Sequence, residues 1–462
     1  MSFYPMQISK PKLFKVLENL STNFWAIPFT FLFTAIAMVF VVRFLDSVQG
    51  VTELPVLSWM YSIGPDNARA MLSSLSGAII SVTGIAFSMI IVTLTLASKQ
   101  FGARLIRNFM QDKNTQVSLG ILVSSFAFCF ILLGFIRDQD VEEYVPGVGL
   151  LLSFGISIAV LITIIFLIHH VANAIQAENV ISACWQKLCE DIERIFPNDT
   201  SDQREAYSLS EYSLVDCTIK ASSDGYVQGI DYDAINGCAE ELDLLVVIHV
   251  KPGQYVCSGH DIAHFYTEQK HLGNSHNSDD LQDKLSNAFI VGGNRTPVQD
   301  PEFAINQMVE IALRALSPSL NDPFTATTCL NRIASSLVLI GNRDLPLPVL
   351  LGQSGKMRVI RSVAKFEGIV ETGLSQIRQN AVKQVDVSLA FLDAIILVLH
   401  NLRDKEKRVV VFAQVKMLKA AFMRLEHCDQ DKQIFQFRFE KIENLATAST
   451  RNSNISNAVS VG

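Results

Sequence analysis

The sequence is short of charged residues for its length. Asp, Glu, Lys and Arg make up 18% of the 462 residues, against about 25% in typical soluble domains. Together with a positive mean hydropathy of +0.28, this shortage argues against a wholly soluble enzyme. The net charge of -7 and the pI of about 5.8 exclude a broad basic surface, so we expect no nucleic-acid partner.

The sequence also lacks the common motifs of catalytic and metal sites. Its eight cysteines are scattered and form no C-x-x-C pair, so we expect no disulfide framework. Five of the nine histidines lie between His249 and His276, but their spacing matches no known metal site. There is no G-x-S-x-G, Walker A, H-E-x-x-H or G-x-G-x-x-G motif. We therefore predict no catalytic residues, no cofactor and no metal, and we expect the chain not to be an enzyme.

The charge that is present is unevenly distributed along the chain. Residues 1–175 hold only ten basic and nine acidic residues, and the remainder holds 28 basic and 36 acidic ones. Four apolar stretches in the first part are long enough to cross about 30 Å of hydrocarbon, which takes about 20 helical residues. They cover approximately Phe24–Val42, Met71–Ala97, Val117–Ile136 and Val145–Ile168. The sequence thus predicts four transmembrane helices followed by a soluble domain.

Loop charges predict the orientation of these spans. The segment before the first span carries Lys10, Lys12 and Lys15, and the loop after the second carries four basic residues against Asp112. The loop after the third span, Arg137–Tyr144, carries four acidic residues against one basic residue. Because positive charge is retained on the cytoplasmic side, both termini are predicted to be cytoplasmic.

Small residues recur at helical spacing along one face of the second span. Steps of three and four join Ser74, Gly77, Ser81, Gly84, Ser88, Ile91 and Thr95. Small residues let helices approach closely in lipid, so this face is predicted either to pack against a neighbouring span of the same chain or to line a pathway in a homo-oligomer. In the second case Ile91 forms an apolar constriction. No charged residue lies within the span, which disfavours transport driven by protons or sodium ions.

Changes in residue pattern predict the domain boundaries and the fold class. Residues 1–175 are predicted to form the transmembrane domain, 176–284 a helical connector and a small β-rich subdomain, 285–447 a mostly helical cytoplasmic subdomain, and 448–462 a disordered tail. The turns Ser223–Gly225 and Lys251–Gly253 separate short β segments in a layout that resembles the half-barrel of biotinyl and lipoyl carriers, without their lysine site. The predicted fold class is therefore an α-helical membrane domain plus a cytoplasmic α+β domain, which combines a small β half-barrel with a helical part.

Two helix starts in the helical subdomain bring polar residues together in the sequence. Asp300-Pro301 and Asn321-Asp322-Pro323 each place a capping residue before a proline, as at the first turn of a helix. The polar residues in and around these segments are Asp300, Glu302, Arg314, Asn321 and Asp322. They are predicted either to cap and pair two neighbouring helices or to line a ligand pocket.

Six segments match the motifs of one bacterial family. They are Leu75–Gly77, Ala97–Phe101, Arg104–Phe109, Arg295–Phe303, Ala312–Pro318 and Asn321–Ala326. On these segments the chain resembles the predicted membrane proteins catalogued as domain of unknown function 2254. The resemblance covers most of the chain and implies a bacterial inner-membrane protein, but it brings no biochemical function with it.

Two functions remain open from the sequence. One is an oligomeric channel or permeation protein with a cytoplasmic regulatory domain, and the other is a membrane-anchored scaffold or sensor without transport activity. The small-residue face of the second span favours the first function. In both cases the expected partners are the lipid bilayer and further copies of the chain.

Overall fold

The structure, a computed structural model, describes two compact units. The described residues are 24–46, 63–102, 109–110, 112–136, 144–196, 212–267 and 285–456. For residues 215–217 and 447–456 the description covers the backbone only. The first unit lies within residues 24–179 and the second within residues 180–456.

The first unit is a bundle of long apolar helices. They are α1 (Ala26–Asp46), α2 (Pro65–Phe101), α3 (Lys113–Leu133) and α4 (Gly147–Ala174). Within the described part of the chain, these four helices are long and apolar enough to cross a membrane, which confirms the predicted spans. The 37 residues of α2 extend about 55 Å, so this helix is longer than a hydrocarbon core of about 30 Å.

The central helix of the bundle is α3, which packs against α1, α2 and α4. Two glycines allow this close packing. A Cβ atom on Gly120 would lie 2.9 Å from the ring of Phe31 in α1, and one on Gly149 of α4 would lie 2.6 Å from Leu132 Cδ2. Because both distances are too short for real contacts, small residues at these two positions hold the helices together in lipid.

The second unit combines two small sheets with eight helices in its described residues. The strands are β1 (Ser213–Lys220), β2 (Gly225–Ile230), β3 (Leu245–Ile248), β4 (Tyr255–Val256), β5 (Asp261–Thr267), β6 (Phe289–Gly292), β7 (Val349–Leu351) and β8 (Met357–Arg361). The helices are α5 (Ala177–Ile195), α6 (Tyr232–Glu241), α7 (Pro301–Ala315), α8 (Pro323–Gly341), α9 (Phe366–Ala381), α10 (Val385–Asn401), α11 (Lys405–Phe422) and α12 (Asp429–Ser456). These elements confirm a mixed helical and sheet region after the spans.

The strands are divided between a five-stranded sheet in the order β1-β5-β3-β8-β7 and a three-stranded sheet in the order β4-β2-β6. All of the pairings are antiparallel except that of β3 with β8, in which Val246 lies opposite Val359. Val246, Val359 and Phe265 are buried in the core of the five-stranded sheet. The β segments predicted as one half-barrel are thus distributed over two sheets.

Both sheets join residues from the two predicted subdomains of the soluble part. β6 pairs with β2, and β8 pairs with β3, although β6 and β8 lie in the segment predicted to be mostly helical. The strand β6 begins at Phe289, four residues after position 285, where the mostly helical subdomain is predicted to begin. At the other end of the chain, α12 continues to Ser456, past the start of the predicted tail at 448. Residues 457–462 of that tail lie outside the described residues.

Candidate functional site

All seven residues of the predicted small-residue face of α2 are exposed in the structure. They are Ser74, Gly77, Ser81, Gly84, Ser88, Ile91 and Thr95. Cβ atoms built on Gly77 and Gly84 meet no atom within 4 Å in the described part of the chain. The face therefore does not pack against another described span, which was the first of its two predicted roles.

α2 packs against its own bundle through the opposite face. The buried residues of α2 recur at steps of three and four and include Leu72, Ile79, Ala86 and Ile90. This face lies against α3 and α4. Because the packing face is separate from the small-residue face, the small-residue face is available for contacts outside the bundle.

Two hydroxyls on the small-residue face are satisfied within the helix. Ser81 Oγ donates a hydrogen bond to the carbonyl oxygen of Gly77, and Thr95 Oγ1 donates one to that of Ile91, both at 2.8 Å. A hydroxyl that is bonded to its own helix carries little cost in an apolar environment. These two positions are therefore compatible with a helix interface in lipid.

The second unit contains a pocket of about 490 Å³. It is lined by the C-terminal end of α5, the first residues of α6 and α7, the segment before α9, and the ends of β2 and β8. Asp300 and Glu302, two of the predicted polar residues, are among the lining residues.

Asp300 lines the pocket and is buried, with 3% of its surface exposed. Its Oδ1 accepts a hydrogen bond from the backbone N–H of Glu302 at 3.1 Å, which caps α7. Its Oδ2 lies 2.6 Å from a terminal nitrogen of Arg295. Burial raises the pKa of Asp300, and the guanidinium of Arg295 opposes that rise. The side chain of Glu302 forms an ion pair with Lys251 at 2.8 Å.

The segment that carries Asp300 is hydrogen-bonded to the end of β2. The side chain of Gln299 exchanges two hydrogen bonds with the backbone of Ile230, at 2.9 and 3.0 Å. Thr296 Oγ1 donates to the carbonyl oxygen of Gln228 at 3.1 Å. The chain from Arg295 to Glu302 thus holds one wall of the pocket against the three-stranded sheet.

The other three predicted polar residues lie at the opposite end of α7. Arg314 pairs with Glu310 one turn earlier at 3.3 Å, and Asp322 caps α8 by accepting from the backbone N–H of Thr325 at 3.1 Å. Asn321 Oδ1 accepts a hydrogen bond from Gln384 at 2.9 Å. The 15 residues of α7 separate the two groups by about 22 Å, so the five residues do not form one cluster. Asp300 and Glu302 line a pocket, and Arg314, Asn321 and Asp322 stabilise helix ends.

Sequence reasoning missed the residues that form the rest of the pocket wall. The guanidinium of Arg361, at the end of β8, lies 4.7 Å from the ring centroid of Tyr232, at the start of α6. Lys251 and Arg194 also line the pocket. The pairing of β3 with β8 places Arg361 opposite Ile248, and Arg194 donates to the carbonyl oxygen of Pro297 at 3.3 Å. These contacts join distant parts of the chain, so no local pattern marks the residues.

The four candidate spans and the mixed second unit define a multi-span membrane protein. The chain belongs to the family described as predicted membrane protein, DUF2254, whose match covers residues 21–396. It is 28% identical over 366 residues to the uncharacterized protein Rv1290c of Mycobacterium tuberculosis and to the uncharacterized protein Mb1321c of Mycobacterium bovis. In both cases the match covers 79% of this chain and 70% of the relative. No solved structure matches the chain.

Proposed function

We propose that this chain is the protomer of a homo-oligomeric channel or permeation protein of the bacterial inner membrane. The observation that carries the proposal is the exposure of the complete small-residue face of α2, on the side opposite its packing face. This face is the surface through which α2 meets its copies in the assembly. The proposal gives the chain a role in permeation and no enzymatic activity.

The exposed surface of α4 differs from the small-residue face of α2 in the size of its side chains. Its exposed residues are bulky and apolar: Ile158, Leu161, Ile162, Ile165 and Phe166. Bulky side chains fill the space next to lipid chains, whereas small residues let two helix backbones approach each other. The small-residue face of α2 therefore supports a helix–helix contact more than a lipid contact.

A pathway between copies of α2 would have one apolar constriction. Ile91 is the bulky residue of the face, and 61% of its surface is exposed. A ring of isoleucine side chains excludes water from a narrow pathway and so blocks ions without any charged group. No charged residue lies between Arg69 and Lys99 of α2, so the proposed permeation is not coupled to protonation within this helix.

A second candidate function is a membrane-anchored scaffold or sensor without transport activity. The pocket in the second unit favours this alternative, because a ligand site outside the membrane is what a sensor needs. In this case the copies of α2 pack tightly and leave no pathway between them.

Both functions place the second unit and the two termini in the cytoplasm, as the loop charges favour. A reporter that is active only in the periplasm tests this orientation. It should be active when inserted near Gly50 or Gln139 and inactive when inserted near Lys113 or after Gly462. Reversed activity at two of these sites would overturn the orientation.

Substitutions on the exposed face test the assembly. A Cβ atom on Gly84 meets no described atom within 4 Å, so Gly84→Leu should fold. The variant should nevertheless dissociate in light-scattering measurements of the purified protein in lipid nanodiscs. Gly155→Leu is the matched control, because Gly155 lies on α4 and its Cβ position is also open. An oligomer that is unchanged by Gly84→Leu, or a wild-type monomer, would contradict the proposed interface.

The variant Ile91→Ser separates the channel from the scaffold. If Ile91 forms the constriction, the serine variant should wet the pathway, raise conductance in reconstituted bilayers and slow growth. A variant that folds and assembles but passes no current would overturn the channel and favour the scaffold or sensor.

A further inference from the structure

The pocket of the second unit contains an arginine that has no acidic partner in the described part of the chain. Arg361 Nε donates a hydrogen bond to the carbonyl oxygen of Leu347 at 3.0 Å, and its guanidinium lies over the ring of Tyr232. Among the described residues, no carboxylate lies within ion-pair distance of Arg361. A guanidinium has five N–H donors in a planar fork, so the two terminal nitrogens of Arg361 retain their hydrogen-bonding capacity for another group.

The other charges at the pocket are neutralised or used locally. The lining cations Lys251 and Arg194 pair with Glu302 and Asp191, and the lining acid Asp300 pairs with Arg295. Of the remaining acids, Asp233 is exposed, and Asp231 caps α6 by accepting from the backbone N–H of Ala234 at 3.1 Å. Arg361 is therefore the cation of this pocket whose charge is not balanced by a described carboxylate.

The environment of Arg361 favours the arrival of an anion. Arg361 is half-buried, so its guanidinium is partly removed from water, and this burial lowers its pKa. A charge in this position is costly unless it is paired. The first residues of α6 and α7 line the pocket, and α9 begins two residues after the lining residue Ala364. Carboxylates already cap α6 and α7, whereas α9 has no side-chain cap, so the positive end of the α9 dipole adds to the same preference.

Much of the remaining pocket wall is apolar. It includes Ile195, Pro252, Val298, Pro346 and Leu350. The volume of about 490 Å³ falls within the range of about 300–1,000 Å³ that is typical of small-molecule sites. The pocket is therefore large enough for an organic molecule and not only for a small inorganic ion.

We propose that this pocket binds a small organic anion, whose carboxylate or phosphate oxygens accept hydrogen bonds from the terminal nitrogens of Arg361. Arginine suits this role because its fork matches both oxyanions with two parallel hydrogen bonds. The apolar part of the ligand lies against the proline and aliphatic side chains of the pocket wall. This site is independent of the oligomer proposed above, since all of its residues lie within the second unit.

Isothermal titration of the full-length protein in detergent tests the proposal, with benzoate and phenyl phosphate as the probes and benzyl alcohol as the neutral control. At least one of the anions should bind and benzyl alcohol should not. Arg361→Gln should weaken anion binding at least about tenfold, because a hydrogen bond to a charged group is worth about 1.5–3 kcal/mol. Arg438→Gln is the matched control, since Arg438 pairs with Asp393 in the helical part and does not line the pocket.

The relative affinities of benzoate and phenyl phosphate identify which oxyanion the pocket prefers. Failure of both anions to bind the wild type, or equal binding by Arg361→Gln, would overturn the proposal. If Arg361→Gln does not fold, Ala364→Phe provides a second test, because it fills the pocket without changing its charge. Anion binding that survives Ala364→Phe would also overturn the proposal.

Discussion

Asp112 connects the start of α3 to the end of α4 through His170. The Oδ2 atom of Asp112 lies 2.6 Å from His170 Nε2, and the same carboxylate caps α3 by accepting from the backbone N–H groups of Asn114 and Thr115. The ring of His170 stacks on Phe166, one turn earlier in α4. One carboxylate thus links the first turn of α3 to the last turns of α4.

Removal of this carboxylate should destabilise the bundle. Asp112→Ala loses a helix cap, which is worth about 1 kcal/mol, and a hydrogen bond to His170, which is worth about 0.5–1.5 kcal/mol. We expect the free energy of unfolding, measured by denaturation in mixed micelles, to fall by about 1–3 kcal/mol. The control is Asp66→Ala, because Asp66 is 85% exposed and pairs with Arg69 at 3.5 Å. An equal loss in both variants would contradict the structural role of the Asp112–His170 contact.

The helices of this protein could be predicted from the sequence because their signals are local. The length and hydropathy of the four spans are enough to recognise them in the sequence. The helices α7 and α8 begin at Pro301 and Pro323, immediately after the capping residues Asp300 and Asp322. A cap and the turn that it serves lie within four residues of each other, so tertiary structure is not needed to recognise them.

The sheet order and most of the pocket could not be predicted because they depend on distant residues. Val246 and Val359 pair across more than one hundred positions, and this pairing brings Arg361 to Tyr232. The strand β6 has only four residues, which is too short for alternation to be recognised. Asp300 can be recognised from the sequence because it caps α7, but no local pattern separates Arg361 from any other arginine.

Adding one methyl group at Gly149 should disturb the contact between α3 and α4. The new Cβ atom would lie 2.6 Å from Leu132 Cδ2, so the helices must separate or Leu132 must move. We expect Gly149→Ala to lower the free energy of unfolding by about 1–3 kcal/mol, measured by denaturation in mixed micelles. Gly155→Ala on the same helix meets no atom within 4 Å and should be neutral or slightly stabilising. A stable Gly149→Ala variant would show that the two helices do not approach this closely.

Gly253 should be required for the buried pair that supports the pocket. A Cβ atom at this position would collide with Asp300 Oδ2 and would lie 3.0 Å from a terminal nitrogen of Arg295. Gly253→Ala should therefore displace the pair and lower the melting temperature of the full-length protein. Gly259→Ala is the matched control, because Gly259 also has a positive φ, +81° against +86°, but an open Cβ position. The difference between the two melting temperatures isolates the collision with Asp300 from backbone strain, and equal losses would argue against it.

The stability of the five-stranded sheet should fall as the pH falls below about 6.5, the ordinary pKa of histidine. His249 Nε2 lies 2.6 Å from His264 Nδ1, and burial together with His264 lowers the pKa of His249, against the opposing effect of Asp261. The folded state thus favours neutral His249, while the unfolded chain takes up a proton near pH 6.5. The contribution of neutral His249 to the stability is therefore fully present above that pH and is lost as the pH falls towards the lowered pKa of the folded state. Hydrogen exchange of peptides from β3 and β5, corrected for the intrinsic rate at each pH, measures this loss.

His264→Gln should make the pH dependence shallower, and His260→Gln, at an exposed position outside the pair, should leave it unchanged. A slope that is equal in the wild type and both variants would show that the pair does not control the stability of the sheet.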